Sequence, residues 1–419
     1  MFSILGNMWK VEDLRKKMLY VLLILFVYRI GANMPLPGVD LWTWIIMRTG
    51  FTGATLFATI AGGGFGTIFA MGIGPYITAS IIMQLLTVAV PSFEQMKKEG
   101  ESGQKKIEKI TRYLALVMAL FQSVGMVFTL RNMGLFTYSN MLTYSIAVLA
   151  MIAGSMLVMW LGELITEKGV GNGVSFMIFA NILSALPGAV MNMIDMARFG
   201  DVLMVIILVA LLILFLALII FAILVNGGER RIPVQNSKKM AGQSAAFGNQ
   251  SYIPLKVNIA GVMSIIFALS LLQFPELIST VITDNEALNF VVYHLAIYRP
   301  IGAILYVTLI VAFTFFYTSF AINPTEMAEN MKKNGGFIPG IRPGRPTSEF
   351  IERTVHRLSW IGACFYVILA MVPIVFQWIT GVVVGFGGTT LLIVVGVALE
   401  IVNQLESQLL VRHYKGFLS

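Results

Sequence analysis

Long apolar stretches recur along the whole chain, separated by polar connections. Each is close to the roughly 20 residues that an α-helix needs to cross a bilayer. They lie near residues 18–34, 67–90, 113–130, 142–162, 174–194, 202–225, 257–275, 300–322, 358–380 and 383–402. The sixth, with LMVIILVALLILFLALIIFAILV at 203–225, is the clearest. The pattern predicts an all-α polytopic membrane protein with ten transmembrane helices.

Polar side chains share one face with isoleucines in two of these stretches. The positions recur at steps of three and four residues, which keeps them in line on a helix: Ile73, Ile77, Ser80, Gln84 and Thr87, and then Ile266, Ser270 and Gln273. Polar groups at membrane depth usually face protein or water. The two stripes together favour an aqueous path narrowed by isoleucines, although ordinary hydrogen bonding between helices explains either stripe alone equally well.

The basic residues lie almost entirely in alternate connections. Of the 29 Lys and Arg residues, 24 lie in the first 17 residues, the tail, and the connections 91–112, 163–173, 226–256 and 323–357. The positive-inside rule therefore predicts that both termini and these connections are cytosolic. The net charge of +8 then belongs to one membrane face. Such a charge is weak evidence for nucleic-acid binding, unless the partner is a large RNA-bearing particle.

The composition offers little for redox, metal or nucleotide chemistry. Cys364 is the only cysteine, so no disulfide can form within the chain. His294, His356 and His413 lie in three different connections, without the spacing of a metal site. No phosphate-binding G-x-x-x-x-G-K-[ST] motif is present. We therefore expect no catalytic residue, no metal site and no cofactor.

Ionisable side chains are rare inside the apolar stretches. Arg29 and Glu400 lie within them, and Glu163 lies near the end of one. Ion-coupled carriers generally need buried carboxylates or broken helices at the membrane midplane. The scarcity favours a passive conduit over an ion-coupled pump.

The ten stretches divide into two halves of five, residues 1–195 and 196–419. Because five is odd, a related second half must enter the membrane inverted. Inverted pseudo-symmetric halves typically enclose a central pathway at their interface. This predicts a two-half architecture.

A glycine run, AGGGFG at 61–66, interrupts an apolar segment just before the second stretch. Each glycine weakens a helix by roughly 1 kcal/mol relative to alanine. Non-helical backbone at membrane depth is tolerated only where protein or water surrounds it. The segment 53–66 therefore suits a re-entrant element, with a plain external loop as the alternative.

Two cytosolic connections combine basic residues with turn formers. Prolines and glycines between 339 and 346 predict a rigid projecting turn. The candidate docking residues of the two connections are Arg230, Arg231, Lys238, Lys239, Arg342 and Arg345. Guanidinium groups suit carboxylates and phosphates. A solvated basic loop that only sets topology is the alternative.

Six segments in order along the chain resemble the SecY family, the main subunits of bacterial protein-conducting channels. They are YRIGANMPLPGVD (28–40), IFAMGIGPYITASIIMQLL (68–86), KKEGESGQKKIEKITRY (97–113), IPLKVNIAGV (253–262), FIPGIRPG (337–344) and GGTTLLIVVGVALE (387–400). The resemblance runs from head to tail. It implies a ten-helix, two-half channel in the cytoplasmic membrane, with a central pore and a lateral opening towards lipid.

The resemblance also implies roles for particular residues. A pore ring falls on Ile73, Ile77, Ile178, Ile182, Ile266 and Ile393. A plug over about 53–66 includes Thr55, Leu56, Phe57, Ile60, Gly62, Gly63, Gly64 and Phe65. A lateral gate includes Ser80, Gln84, Thr87, Gln122, Ser270, Gln273 and Phe274. Simple packing is the alternative for the isoleucines.

The implied partners are small membrane subunits resembling SecE and SecG, the SecA motor ATPase, the ribosome, signal-bearing preproteins and membrane lipids. One departure concerns GQSAAFGNQSY at 242–252, where many relatives carry a further basic cluster. Fewer charges there weaken the expected contact with acidic partners or RNA. The other function classes are an inverted-repeat secondary transporter of a small solute and a structural membrane scaffold.

Overall fold

The computed structural model describes residues 11–50, 64, 66–169, 171–200, 202–236, 251–281, 286–381, 390, 393–402, 404 and 405. In chain order the helices are α1 (Glu12–Gly31), α2 (Leu41–Gly50), α3 (Gly74–Ala89), α4 (Pro91–Lys98), α5 (Glu101–Asn132), α6 (Met141–Lys168), α7 (Gly173–Phe199), α8 (Val202–Asn226), α9 (Met263–Val281), α10 (Glu286–Leu295), α11 (Pro300–Ala321), α12 (Pro324–Lys333), α13 (Arg345–Thr380) and α14 (Ile393–Val402). The strands are β1 (Glu229–Asn236), β2 (Ser251–Lys256) and β3 (Gly336–Phe337).

Each of the ten predicted apolar stretches coincides, at least in part, with a helix. In the described part of the chain, six helices are long and apolar enough to cross a membrane. A seventh candidate is the pair α3 and α4, which is bent by 98°. The α14 helix and Met263–Leu272 of α9 are apolar but shorter. The prediction of an all-α polytopic membrane protein is confirmed.

The second stretch becomes helical later than its composition suggests. Apolar residues begin at 67, but α3 begins at Gly74, with Pro75 in its first turn. The preceding residues form turns in which Gly66 and Gly72 have φ values of 70° and 50°. Backbone with positive φ cannot belong to a right-handed helix, and it favours glycine. The segment before α3 is therefore an irregular entry.

One compact unit comprises the described residues of Met1–Ala210, Gln273–Tyr293 and Val383–Ser419. Within it α5 packs against α3 and α6, and α6 also packs against α7 and α1. One apolar core of this unit joins the α1–α2 connection to α5 and α6, and it includes Leu36, Val39, Trp44, Leu130 and Met151. Asp40 accepts hydrogen bonds from the Thr43 N–H (3.0 Å) and hydroxyl (2.5 Å), which caps the start of α2.

Glycines allow close backbone approach around α6. A Cβ atom at Gly173, the first residue of α7, would overlap the carbonyl oxygen of Gly162. A Cβ at Gly154 would overlap the carbonyl oxygen of Ile68. Small residues at helix crossings let membrane helices pack through van der Waals contact. The Asn172 side chain accepts the Val174 N–H at 3.0 Å, so α7 is capped at the glycine-rich turn that precedes it.

The second unit comprises the described residues of Leu211–Leu272 and His294–Val382. Its membrane part pairs α11 with α13. Phe221 of α8 meets Phe365 of α13 edge to face, with ring centroids 5.3 Å apart. The hydroxyls of Thr314 and Thr318 donate to carbonyls one turn earlier on α11, so these polar groups are satisfied within their own helix.

A three-stranded antiparallel sheet of order β2-β1-β3 stands next to the start of α13. Alternation along β1 gives the sheet two faces, since successive strand side chains point to opposite sides. Ile232 packs in a core with Leu255 of β2 and with Ile351, Val355 and Leu358 of α13. The connection 226–256 therefore contains strands that pack on the start of α13. The predicted division into halves at residue 195 stays a prediction.

Candidate functional site

The six isoleucines predicted for a pore ring are all buried, with exposed fractions between 0 and 8%. Ile73 immediately precedes α3, and Ile77 lies one turn into that helix. Ile178 and Ile182 lie one turn apart on α7, and Ile393 begins α14.

Five of the isoleucines belong to the first unit, whereas Ile266 lies on α9 within the second. Ile73 is oriented towards α6, because its Cδ1 atom lies 3.6 Å from the position that a Cβ on Gly162 would occupy. The irregular entry to α3 thus directs a bulky side chain into the helix cluster. A closed ring made by all six side chains stays a prediction.

The polar stripe of α3 is present as predicted. The Gln84 amide donates to the Ser80 hydroxyl at 3.4 Å, and the Thr87 hydroxyl donates to the Gln84 carbonyl at 2.7 Å. Ser80 and Gln84 are partly exposed, while Thr87 is buried. The stripe is a continuous polar seam on one helix.

Gln122 is the most unusual of the predicted gate residues. It is 3% exposed, and neither its amide nitrogen nor its amide oxygen has a hydrogen-bond partner among the described residues. An unpaired buried polar group costs about 1–3 kcal/mol, so such a residue needs an explanation. Ser270 is also buried. The side chains of Gln273 and Phe274 lie outside the described part of the chain.

The predicted plug lies mostly outside the described residues, as do Thr55, Leu56, Phe57, Ile60, Gly62, Gly63 and Phe65. Its end is described, and it is tied to the connection after α1. The Leu36 N–H donates to the Gly66 carbonyl at 2.9 Å. The Thr67 hydroxyl donates to the Gly64 carbonyl at 2.7 Å. The attachment point is therefore held by one backbone hydrogen bond and by one from a side-chain hydroxyl.

Four of the six predicted docking residues, all of them arginines, are described, and all four are exposed. Arg230 and Arg231 lie on β1. Glu229 accepts from Arg231 at 2.6 Å, and this hydrogen bond raises the pKa of the Arg231 guanidinium. The Arg231 guanidinium also lies 4.9 Å from the centre of the Tyr252 ring. Lys238 and Lys239 lie outside the described part.

Arg342 and Arg345 flank the turn into α13. The Thr347 hydroxyl donates to the Arg342 carbonyl at 2.9 Å, and Gly344 has a φ of 105°. Arg345 pairs with Glu349 at 3.3 Å, while its side chain stays 91% exposed. The turn therefore has an internal hydrogen bond and an exposed Arg342 side chain. A rigid docking projection stays a prediction.

Two polar contacts between helices were not predicted from the sequence. Arg29 donates to the carbonyl oxygen of Ala180 at 2.7 Å, which connects α1 to α7. Arg112 pairs with Glu163 at 2.8 Å, which connects α5 to α6. The signal available was the rarity of charged side chains near apolar stretches, because such groups generally need a partner.

Comparison with known proteins fits this arrangement. The family model described as SecY matches residues 67–402. The chain is 41% identical over 431 residues to "Protein translocase subunit SecY" of Halalkalibacterium halodurans, and the match covers all of both chains. The chain belongs to the SecY family. The alternative of a small-solute transporter is therefore disfavoured.

Solved structures of SecY and its relatives share the fold. One is a SecY structure described as showing that the plug domain stabilises the closed state of the translocation channel and maintains a membrane seal. It matches with a TM-score of 0.67 and 20% identity, over 93% of this chain and 91% of that one. Another is Sec61 in the canine ribosome-channel complex from the endoplasmic reticulum, with a TM-score of 0.65, 18% identity and the same coverage. The channel fold is therefore common to the SecY family and to this chain.

Proposed function

We propose that this chain is the central pore-forming subunit of a protein translocation channel in the bacterial cytoplasmic membrane. It passes unfolded preproteins across the membrane and releases transmembrane segments sideways into lipid. The observation that carries this proposal is the end-to-end match to a translocase subunit at 41% identity. The chain itself catalyses no covalent reaction.

The six buried isoleucines form the seal of the resting pore. An apolar constriction blocks ions because an ion has to lose its hydration to pass, and small apolar constrictions exclude water. Aliphatic side chains make no directional bonds, so they can separate around a peptide and close again. The uniform use of isoleucine suits a seal that must fit any passing sequence.

The segment 53–66 serves as the plug. Its glycines disfavour a stable helix, so displacement by an entering chain breaks little regular structure. The backbone hydrogen bond from the Leu36 N–H to the Gly66 carbonyl holds the C-terminal end of the segment.

The polar seam on α3 and the buried amide of Gln122 belong to the lateral gate. A signal sequence enters between the second and third spanning helices (α3 and α5) on one side and the seventh and eighth spanning helices (α9 and α11) on the other. An apolar segment then partitions from the seam into lipid, as apolar residues do in membrane insertion. A gate that opens supplies new hydrogen-bond partners for the Gln122 amide, including water and the backbone of the entering chain.

The basic connections dock the partners that supply energy. Arg230, Arg231, Arg342 and Arg345 present guanidinium groups that suit phosphates and carboxylates. The ribosome complex of the structurally similar Sec61 supports ribosome binding. The SecA motor ATPase is the partner for chains exported after synthesis, and SecE-like and SecG-like subunits clamp the channel. Both termini are cytosolic by the charge distribution.

Depletion of the protein in its host tests the proposal. Signal-bearing precursors should accumulate in the cytosol, and a preprotein tethered at its C-terminal end should jam the purified channel. Uptake of a small solute coupled to ions, with normal precursor processing, would instead support the transporter.

The seal is tested with Ile266→Asn and Ile393→Asn. Both should admit preproteins with defective signals and should raise ion leak, because a buried amide disfavours the closed packing. Ile379→Asn is the matched control, since Ile379 is 80% exposed in the last turn of α13. If ion leak and signal discrimination are unchanged in both ring variants, the proposal that the isoleucines form a seal is refuted.

A further inference from the structure

A cavity of about 440 Å³ lies in the second unit, bounded by β1, the turn after β3 and the first turns of α13. Ile232 and Ile338 are buried at the floor of the cavity, and Phe350 is partly buried beside them. All three also belong to the apolar core beneath the sheet. The floor is therefore apolar, and the cavity has room for an aliphatic side chain.

Three arginines, Arg230, Arg231 and Arg357, complete the lining, and none of the described lining residues is a carboxylate. Arg231 forms an ion pair with Glu229, whereas Arg230 and Arg357 make no ion pair with any described residue. Exposed guanidinium groups above an apolar floor favour a ligand with both acidic and apolar groups.

Within the described residues, the cavity also borders a strand edge that is largely open. One edge of β1 pairs with β2 along six residues, while the other pairs with β3 only at Gln235 and Asn236. Arg231 lies opposite Pro254, and proline has no N–H, so this is a non-hydrogen-bonded pair. The Arg231 N–H and carbonyl therefore point to the opposite edge, where β3 has already ended at Phe337.

We propose that this cavity binds an extended acidic segment of a cytosolic partner protein. The segment adds to the open edge of β1 as a strand, as many peptides add to exposed sheet edges. It places an apolar side chain on the floor and carboxylates against Arg230 and Arg357. A lipid headgroup fits less well, since it has no backbone to pair with a strand. This inference rests on the proposed docking role of the cytosolic connections.

The test measures binding of a defined probe to the intact protein in nanodiscs of neutral phosphatidylcholine. The probe is a fluorescein-labelled, end-blocked peptide of alternating aspartate with valine or leucine, followed by fluorescence anisotropy. The double variant Arg230→Gln with Arg357→Gln should weaken binding by about tenfold or more. Arg353→Gln is the matched control, because Arg353 is exposed one turn earlier on α13 and does not line the cavity.

Two altered probes separate strand addition from simple charge attraction. A peptide methylated on alternate backbone nitrogens should bind at least about tenfold more weakly, and a peptide with lysine for aspartate should not bind. Thr354→Glu should also weaken binding of the original peptide, since it adds a carboxylate to the cavity wall.

Several results would overturn the inference. Equal weakening by Arg353→Gln, or full binding of the methylated peptide, would show that surface charge alone attracts the probe. Displacement by glycerol phosphate or by phosphatidylglycerol nanodiscs would assign the cavity to a lipid headgroup. Absence of binding would mean that Pro233 and the arginines, which line the cavity along β1, only protect the edge from aggregation. Precursor accumulation after depletion tests the channel itself separately.

Discussion

The ion pair between Arg112 and Glu163 provides the sharpest test of how the first unit is held together. The Arg112 Nε atom on α5 lies 2.8 Å from the Glu163 Oε1 atom on α6. The Arg112 side chain is 48% exposed and the Glu163 side chain is 24% exposed. At that distance the Coulomb attraction is about 1.5 kcal/mol in water and about 6 kcal/mol at an effective dielectric constant of 20. Exposed pairs contribute about 0–1 kcal/mol, while breaking a buried pair costs about 3–5 kcal/mol. The intermediate exposure therefore predicts a coupling of about 2 kcal/mol, or about 30-fold in the unfolding equilibrium.

A double-mutant cycle measures this coupling. The variants are Arg112→Gln, Glu163→Gln and the combination, with unfolding by SDS followed by circular dichroism. The combined loss should be smaller than the sum of the single losses by about 2 kcal/mol. Lys105 and Glu101, an ion pair 73% and 85% exposed on the same α5 helix, provide the control cycle. Their coupling should stay below about 0.5 kcal/mol. A coupling as small for the Arg112 pair as for the control would refute the role of this contact.

Three further perturbations follow from the structure. The proposed docking role of Arg342 predicts that Arg342→Glu reduces SecA-driven export in membrane vesicles without lowering the amount of folded channel. Normal export would refute that role. Gly173→Ala should lower the thermal midpoint, because the new methyl group meets the carbonyl of Gly162 and overpacking costs about 1–3 kcal/mol; Gly188→Ala, with open space around it, should not. The hydrogen bonds to Asp40 lower its carboxyl pKa, so this cap stabilises the fold above the unfolded pKa of about 4 and is lost as pH falls through the folded value. The protection factor of the α2 amides, which is the intrinsic exchange rate divided by the measured rate, should fall in that acidic range. Asp40→Ala should remove this pH dependence of the protection factor.

Local patterns predicted the features that depend on neighbouring residues. Apolar stretches predicted the spanning helices, since a helix satisfies its own backbone in lipid. The turn before α13 was predicted by its prolines and glycines, and Gly340 and Gly344 take positive φ there. The polar stripe on α3 could also be predicted, because helical spacing alone places its residues on one face.

Features that join distant parts of the chain were not predicted. The strand β1 pairs with β3 across about a hundred residues, and no local pattern specifies a partner so far away. The late start of α3 was missed because hydrophobicity does not report the backbone angles of Gly66 and Gly72. The contact of Arg29 with Ala180 links residues that are 151 positions apart.

The α8 helix has a consequence for how this protein is made. Among the spans that the structure describes it has the most apolar window, with a mean hydropathy of 3.7, and 17% of that window is buried. Its favourable free energy therefore comes mostly from leaving water for hydrocarbon, and not from neighbouring helices. Such a segment can settle in the bilayer before its later neighbours have been synthesised. During its own synthesis the chain thus depends on the same partitioning between water and lipid that we propose for the segments it releases.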